Sequence, residues 1–219
     1  ILKTNEVFDY ETKTLYKCRV RTTDQGGLYF EKGVAISITN VNEAPTLISP
    51  SSISFLELEP TGSTVAQFTV TDPDAGGSHT WSLVEGVGSD DNLLFSLTTG
   101  GLLTSLEVFD YESNKTFTIR VSVEDQGGLS IEKAITINIT NVNETPTDIS
   151  LSSTTVSENS STGTTVGTFS TTDPDVSNTF TYTLVTGTGD TDNSSFYVSG
   201  SSLKTNAIFD YETKSSYTI

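Results

Sequence analysis

Methionine is absent from the 219 residues, and cysteine, tryptophan and histidine occur once each. A lone cysteine closes no intrachain disulfide, so no disulfide framework holds the chain together. His79 and Cys18 also make no zinc ligand set, which needs several nitrogen or sulfur donors. Neither a Ser-His-Asp arrangement nor a paired-acid cleft can be assembled around His79, and no enzymatic activity is expected. Cys18 lies in Tyr16-Lys17-Cys18-Arg19-Val20, where an aligned segment has Phe117-Thr118-Ile119-Arg120-Val121; it reads as a buried apolar thiol, not a nucleophile. Basic residues are scarce, 11 Lys and Arg against 28 Asp and Glu, for a formal net charge of −17. Phosphate binding needs clustered positive charge, so nucleic acid is not a partner. No stretch approaches about 20 apolar residues, and no signal peptide is present.

What the chain does hold is a period. Phe-Asp-Tyr-Glu occurs at Phe8 to Glu11, Phe109 to Glu112 and Phe209 to Glu212, at steps of 101 and 100 residues. Asn40-Val41-Asn42-Glu43 returns as Asn141-Val142-Asn143-Glu144, and Asp72-Pro73-Asp74 as Asp173-Pro174-Asp175. A fixed period the size of a small domain marks tandem modules, each long enough to bury its own core. The expected division is 1–44 as the C-terminal part of one module, 45–145 as a complete one, and 146–219 as the N-terminal part of a third. On this reading the chain is a fragment of a longer protein.

Within the complete module the apolar pattern alternates. Ile53 to Leu56, Val65 to Thr71, Thr80 to Val84, Leu94 to Leu97, Leu102 to Ser105, Phe117 to Val123 and Ile131 to Ile139 read as seven short strands separated by Gly-rich turns. That count suits an all-β, immunoglobulin-like, seven-stranded Greek-key sandwich. The connections between modules, such as Ile139 to Pro146, are too short for a flexible tether, and Pro45 and Pro146 restrict them further. An end-to-end rod is the expected arrangement.

The repeated words are rich in carboxylates and amides. Asp110 and Glu112 stand two apart, a spacing that in extended chain puts both carboxylates on one side and Tyr111 on the other. The bottom of one module, the linker and the Asp-Pro-Asp turn of the next would converge at each junction. Unneutralised, such carboxylates repel by several kcal/mol per close pair at an effective dielectric of about 20. Calcium takes six to eight oxygens in loose geometry and matches this donor set, whereas magnesium demands a regular octahedron.

In these residues the chain resembles the cadherin repeat. Phe109-Asp110-Tyr111-Glu112 is similar to the family's Leu-Asp-Arg-Glu, and Asp173-Pro174-Asp175 to its Asp-x-Asp. Glu124-Asp125-Gln126-Gly127-Gly128 resembles the Asp-x-Gly turn, Asn141 to Pro146 the linker Asp-x-Asn-Asp-x-Pro, and Val156-Ser157-Glu158-Asn159 the opening Glu-Asn. The spelling is similar to cadherin-type repeats of large microbial and other extracellular surface proteins more than to vertebrate classical cadherins. The resemblance implies Ca2+ at each junction. The first would use Asp9, Glu11, Asn40, Asn42, Glu43, Asp72, Asp74 and Asp125, and the second Glu57, Asp110, Glu112, Asn141, Asn143, Glu144, Asp173 and Asp175. Asp24 would serve a junction upstream, and Glu158, Asp210 and Glu212 one downstream. Two spellings depart from the family: Asn40 and Asn141 replace an aspartate, and Glu43 and Glu144 a shorter acid. Alignment on Gly62 and Gly163 selects Glu57, with Glu59 as its competitor.

The resemblance further implies an extracellular, membrane-associated surface protein in which neighbouring repeats of one chain form a calcium-stiffened adhesive stalk. Its partners would be identical chains, in homophilic adhesion, or another cell-surface ligand. The alternative is a carbohydrate- or ligand-binding sandwich of a secreted protein. That role would need exposed aromatics, for which Tyr10, Tyr111 and Tyr211 are the candidates.

Overall fold

The computed structural model describes residues 2–219 and divides them into two compact units, the first ending at Asn141 and the second running from Val142 to Ile219. Among the described residues all regular structure is β apart from two single 3-10 turns, at Asn92–Leu94 and Asn193–Ser195, and no helix is long and apolar enough to cross a membrane.

The first unit opens with an antiparallel hairpin of β1 (Leu15–Thr23) and β2 (Tyr29–Ser37). These strands pair only with each other among the described residues, so no second sheet covers them. Val20 and Val34 are therefore exposed, and Cys18 is half-buried, not enclosed as its alignment with Ile119 suggests.

Residues 47–140 then form a two-sheet sandwich. Its elements are β3 (Leu47–Ser49), β4 (Ser52–Leu56), β5 (Thr64–Gln67), β6 (Thr69–Thr71), β7 (His79–Leu83), β8 (Phe95–Leu97), β9 (Leu102–Ser105), β10 (Thr116–Asp125) and β11 (Ser130–Thr140). One sheet has the order β4-β11-β10-β7 and the other β5-β9-β8, with β3 pairing β6. β4 runs parallel to β11, placing Ile53 beside Ile137, and every other pairing is antiparallel. Alternation drives this arrangement: Ile119, Val121, Val123, Ile135 and Ile137 are wholly buried, while Thr118, Arg120 and Thr136 on the opposite face are not. The expected strand from Val65 to Thr71 is two strands. At Phe68 the chain leaves β9 for β3, its ring is buried against Trp81 at 5.6 Å, and its amide donates to Gly101 O at 2.8 Å. Trp81 is thus a core residue.

The second unit has β12 (Asp148–Leu151), β13 (Thr165–Thr172), β14 (Phe196–Ser199) and β15 (Ser202–Thr205) in the order β12-β13-β15-β14. Leu203, Val166 and Phe209 are buried, and Phe169 stacks on Tyr182 at 5.2 Å, as Phe68 does on Trp81.

Some polar repeats serve only the fold. Asp91 Oδ2 accepts the Thr118 amide at 2.7 Å, and Asn92 bridges the Val84 carbonyl and Arg120 amide, both at 2.9 Å. The second unit repeats this with Asp192 on the Thr218 amide at 2.8 Å and Asn193 on the Val185 carbonyl at 2.9 Å. The Lys214 ammonium also bonds Asp192 and, with the Thr218 amide, holds its carboxyl below the usual range.

Candidate metal centre

The Phe-Asp-Tyr-Glu word divides its labour. Phe109 is buried, 4.6 Å from the Phe117 ring and 5.3 Å from that of Phe95. Asp110 does not lie in extended chain, as its spacing from Glu112 suggested; residues 111–113 form a turn. The Asp110 carboxylate accepts the Glu112 and Ser113 amides at 2.9 and 3.1 Å and the Ser113 hydroxyl at 2.9 Å, while its carbonyl accepts the Asn114 amide at 3.1 Å. An Asp side chain that can bond its own following backbone competes with the extended form, and here it prevails. The Ser113 hydroxyl and amide hold the Asp110 carboxyl below its ordinary value. Asp9 and Asp210 cap the same turn through Thr12 and Thr213, with the same lowering.

Glu57 completes the loop from the other end of the repeat. It is 2% exposed, and its Oε2 accepts the Tyr111 amide at 2.6 Å. Glu158 does the same for Tyr211 at 3.0 Å. Glu59 instead takes the Ser63 hydroxyl at 3.4 Å. Carboxylate oxygens of Glu57 and Glu112 lie within 4.8 Å of each other, as do those of Glu158, Asp210 and Glu212. Tyr111 packs partly buried on the core with the Lys115 ammonium 4.3 Å from its ring centre; Tyr10 and Tyr211 are more exposed.

Before the sandwich, the linker bonds directly to the turns. Asn40 Nδ2 donates to Asp74 Oδ1 and the Glu43 amide to Asp74 Oδ2, both at 2.7 Å. Asn42 Nδ2 donates to Asp125 Oδ2 at 2.8 Å, across 83 residues of sequence. Asp125 Oδ1 accepts the Gly127 and Leu129 amides at 2.7 and 2.9 Å, as Asp24 accepts those of Gly26 and Leu28. Burial pushes the Asp125 carboxyl up, yet the Leu129 amide, Asn42 and the Gly127 and Gly128 amides together hold it below its ordinary value. Asp72 Oδ1 accepts the Asp74 amide at 2.9 Å.

The acids of this linker meet one another. Desolvation, then the charges of Glu11, Asp74 and Asp9, raise the Glu43 carboxyl above its ordinary value. Carboxylates from the Phe-Asp-Tyr-Glu turn and the Asp-Pro-Asp turn thus act on a single linker acid. The groups that meet on Glu43 are all carboxylates, and a hard cation is the species such oxygens accommodate.

Of the second expected set, Glu57, Asp110, Glu112 and Asn141 belong to the first unit, and Asn143, Glu144, Asp173 and Asp175 to the second. Within the second unit the Glu144 amide donates to Asp175 Oδ2 at 2.7 Å, and Asp175 donates its amide to Asp173 Oδ1 at 2.9 Å, repeating the geometry of Glu43, Asp74 and Asp72. Asn143 Nδ2 turns to the Glu144 carbonyl at 3.1 Å.

Residues 51–140 match the cadherin domain family model. The chain belongs to the cadherin family. It is 32% identical over 184 residues to protocadherin Fat 4 of Homo sapiens, covering 80% of this chain and 4% of that protein. It is 31% identical over 194 residues to the protocadherin-like wing polarity protein stan of Drosophila melanogaster, covering 84% of this chain and 5% of that protein. The cadherin chain therefore spans a small part of these relatives' length. Among solved structures, extracellular cadherin domains 1–4 of protocadherin gamma B7 match 95% of this chain and 53% of theirs, at a TM-score of 0.64 and 23% identity. The human desmocollin-1 ectodomain matches 95% of this chain and 43% of its own, at 0.63 and 21%. These two share the fold, the cadherin sandwich.

Proposed function

We propose that this chain is a stretch of an extracellular cadherin array, with repeats at 1–44, 45–145 and 146–219, whose linkers bind calcium and stiffen into an adhesive stalk. The observation that carries the proposal is the linker's hold on the acidic turns, with Asn40 Nδ2 and the Glu43 amide on the two Asp74 oxygens and Asn42 Nδ2 on Asp125, beside a Glu43 carboxyl raised by desolvation and then by Glu11, Asp74 and Asp9. A linker acid that meets like charges from two other segments is built to be neutralised. At the first linker Asp9, Glu11, Asn40, Asn42, Glu43, Asp72, Asp74 and Asp125 would hold the ion. The same roles fall to Glu57, Asp110, Glu112, Asn141, Asn143, Glu144, Asp173 and Asp175 at the second, to Asp24 upstream, and to Glu158, Asp210 and Glu212 downstream. Bound calcium would supply positive charge that cancels the repulsion and ties the segments together. The role is mechanical, not catalytic. The partner in adhesion would be an identical chain or another surface ligand.

Calorimetric titration of the full chain with calcium tests this, repeated with Asp72→Ala and Asp74→Ala together and with Asp173→Ala and Asp175→Ala together. The expected result is micromolar to millimolar binding, with each double change removing part of the stoichiometry. Binding that is absent, or indifferent to both changes, overturns the reading.

A further inference from the structure

The two Asp-Pro-Asp turns are alike in their backbone but differ in what holds the first carboxylate. At Asp72, Oδ1 accepts the Asp74 amide at 2.9 Å, and Oδ2 lies 2.7 Å from His79 Nε2. An ionised carboxylate only accepts, so Nε2 carries the proton of this bond. The Asp72 side chain is 6% exposed and that of His79 16%, so water does not readily replace the imidazole. At Asp173, Oδ1 accepts both the Asp175 amide at 2.9 Å and Asn178 Nδ2 at 3.0 Å, which leaves Oδ2 outside both bonds. Phe180 stands at the position aligned with His79 and offers no donor.

We propose that His79 sets the calcium affinity of the Asp72 turn below that of the Asp173 turn by engaging the carboxylate oxygen that the second turn keeps clear. The inference rests on the calcium reading above. Hydrogen bonds to a metal ligand often help by orienting it. Here that work is already done in both turns by the amide bond on Oδ1, and the second Asp in each accepts the linker glutamate's amide at 2.7 Å. The imidazole is therefore an addition on the other oxygen. It withdraws negative charge from that oxygen, and a cation must share the oxygen with an N–H or displace it.

Calcium calorimetry on the full chain, wild type against His79→Phe, reads this directly. Wild type should show tighter and weaker classes of site. In His79→Phe the weaker class should tighten about tenfold, the worth of one hydrogen bond to a charged group, and the tighter class should not move. A weaker class that is unchanged, or that loses affinity, overturns the inference while the calcium reading stands. A wild-type chain that binds no calcium removes both. Nitrogen-15 spectra of wild-type His79 give a second readout independent of the variant's folding. The Nε2–H resonance should shift as the weaker class fills, and a resonance that stays fixed to saturation also overturns the inference.

Discussion

The linker amide Asn42 shows how a single side chain joins two segments. Its carboxamide lies against the Gly127 backbone, where an added Cβ would come within 2.4 Å of the Asn42 Cγ and Nδ2. A Cβ at residue 127 would occupy the space through which Asn42 reaches Asp125. Gly127→Ala should push the carboxamide away, break the 2.8 Å bond to Asp125, and weaken calcium binding at this linker about tenfold, as loss of a ligand's partner typically does. Calorimetry checks this, and an unchanged affinity would mean that Asn42 plays no part in the site. A group remote from the linkers makes a cleaner pH probe. Glu31 bonds Arg19 Nε and Arg21 Nε, each at 2.7 Å, and these two guanidinium groups hold its carboxyl below its ordinary value. A depressed carboxylate stabilises the fold above its unfolded value and loses that contribution as pH falls through the folded one. The β1–β2 hairpin should therefore loosen on acidification below the ordinary Glu range. Arg19→Gln with Arg21→Gln should return the Glu31 titration, followed by NMR, toward its usual pH. Arg21 also lies over the Tyr29 ring at 4.0 Å, so each Arg change should be made singly as well.

At the scale of the element, the repeated tetrapeptide is a packing device as much as a chemical one. Phe109 fills the end of the core among Phe55, Phe95 and Phe117, and Phe209 does so with Phe196 and Tyr217. Phe109→Ala should cost about 3–5 kcal/mol in chemical denaturation. A much smaller loss would show that the cluster collapses to fill the space. Phe109 and the Asp110 cap together fix the turn that places the Tyr111 amide on Glu57, so the same variant should also disturb calcium binding. These elements were largely legible in the sequence, because burial on one face imposes period-two alternation: β10 and β11 fall within one or two residues of the strands read at Phe117 to Val123 and Ile131 to Ile139. What alternation cannot register is a strand's choice of neighbour. The apolar run Val65 to Thr71 keeps its period through Phe68, yet changes partner there from β9 to β3. The Asp110 turn was missed for a related reason: i, i+2 spacing says where side chains point in extended chain, and an Asp that caps its own backbone removes that premise. The acids of the Phe-Asp-Tyr-Glu, linker and Asp-Pro-Asp words stand out in the sequence because they recur in order, and at the first linker Glu11, Asp74 and Asp9 do act on Glu43. The acids and amides at 91, 92, 192 and 193 recur just as faithfully but secure backbone, and recurrence alone does not tell the two uses apart.

At the scale of the whole molecule, cores and linkers are chemically separate. The residues that close the sandwich, among them Ile119, Val121, Val123, Ile135 and Ile137, are fully buried hydrocarbon, whereas the proposed ion-binding residues lie in turns, in linkers and, for Asp125, at the end of β10. Calcium at millimolar concentration against a site of about 10 µM would add about 2.7 kcal/mol per ion to any state that needs it. For a repeat of this size each kcal/mol moves the melting midpoint by roughly 4–8 °C, so calcium should raise it by on the order of 10 °C in calorimetry. Chelation at room temperature should act differently on the two parts. Trp81, the sole tryptophan, is 5% exposed and stacked on Phe68, and reports on the 47–140 sandwich alone. Its fluorescence should not change on chelation, because the hydrophobic core holds without the ion. Over the same chelator range, protease cleavage between Asn40 and Glu43 should accelerate, since the Glu43 repulsion is then uncancelled while the Asn42–Asp125 and Asn40–Asp74 bonds must hold alone. A Trp81 emission shift that tracks the cleavage would instead make the ion part of the repeat's own folding, and the sandwich would then depend on its linker.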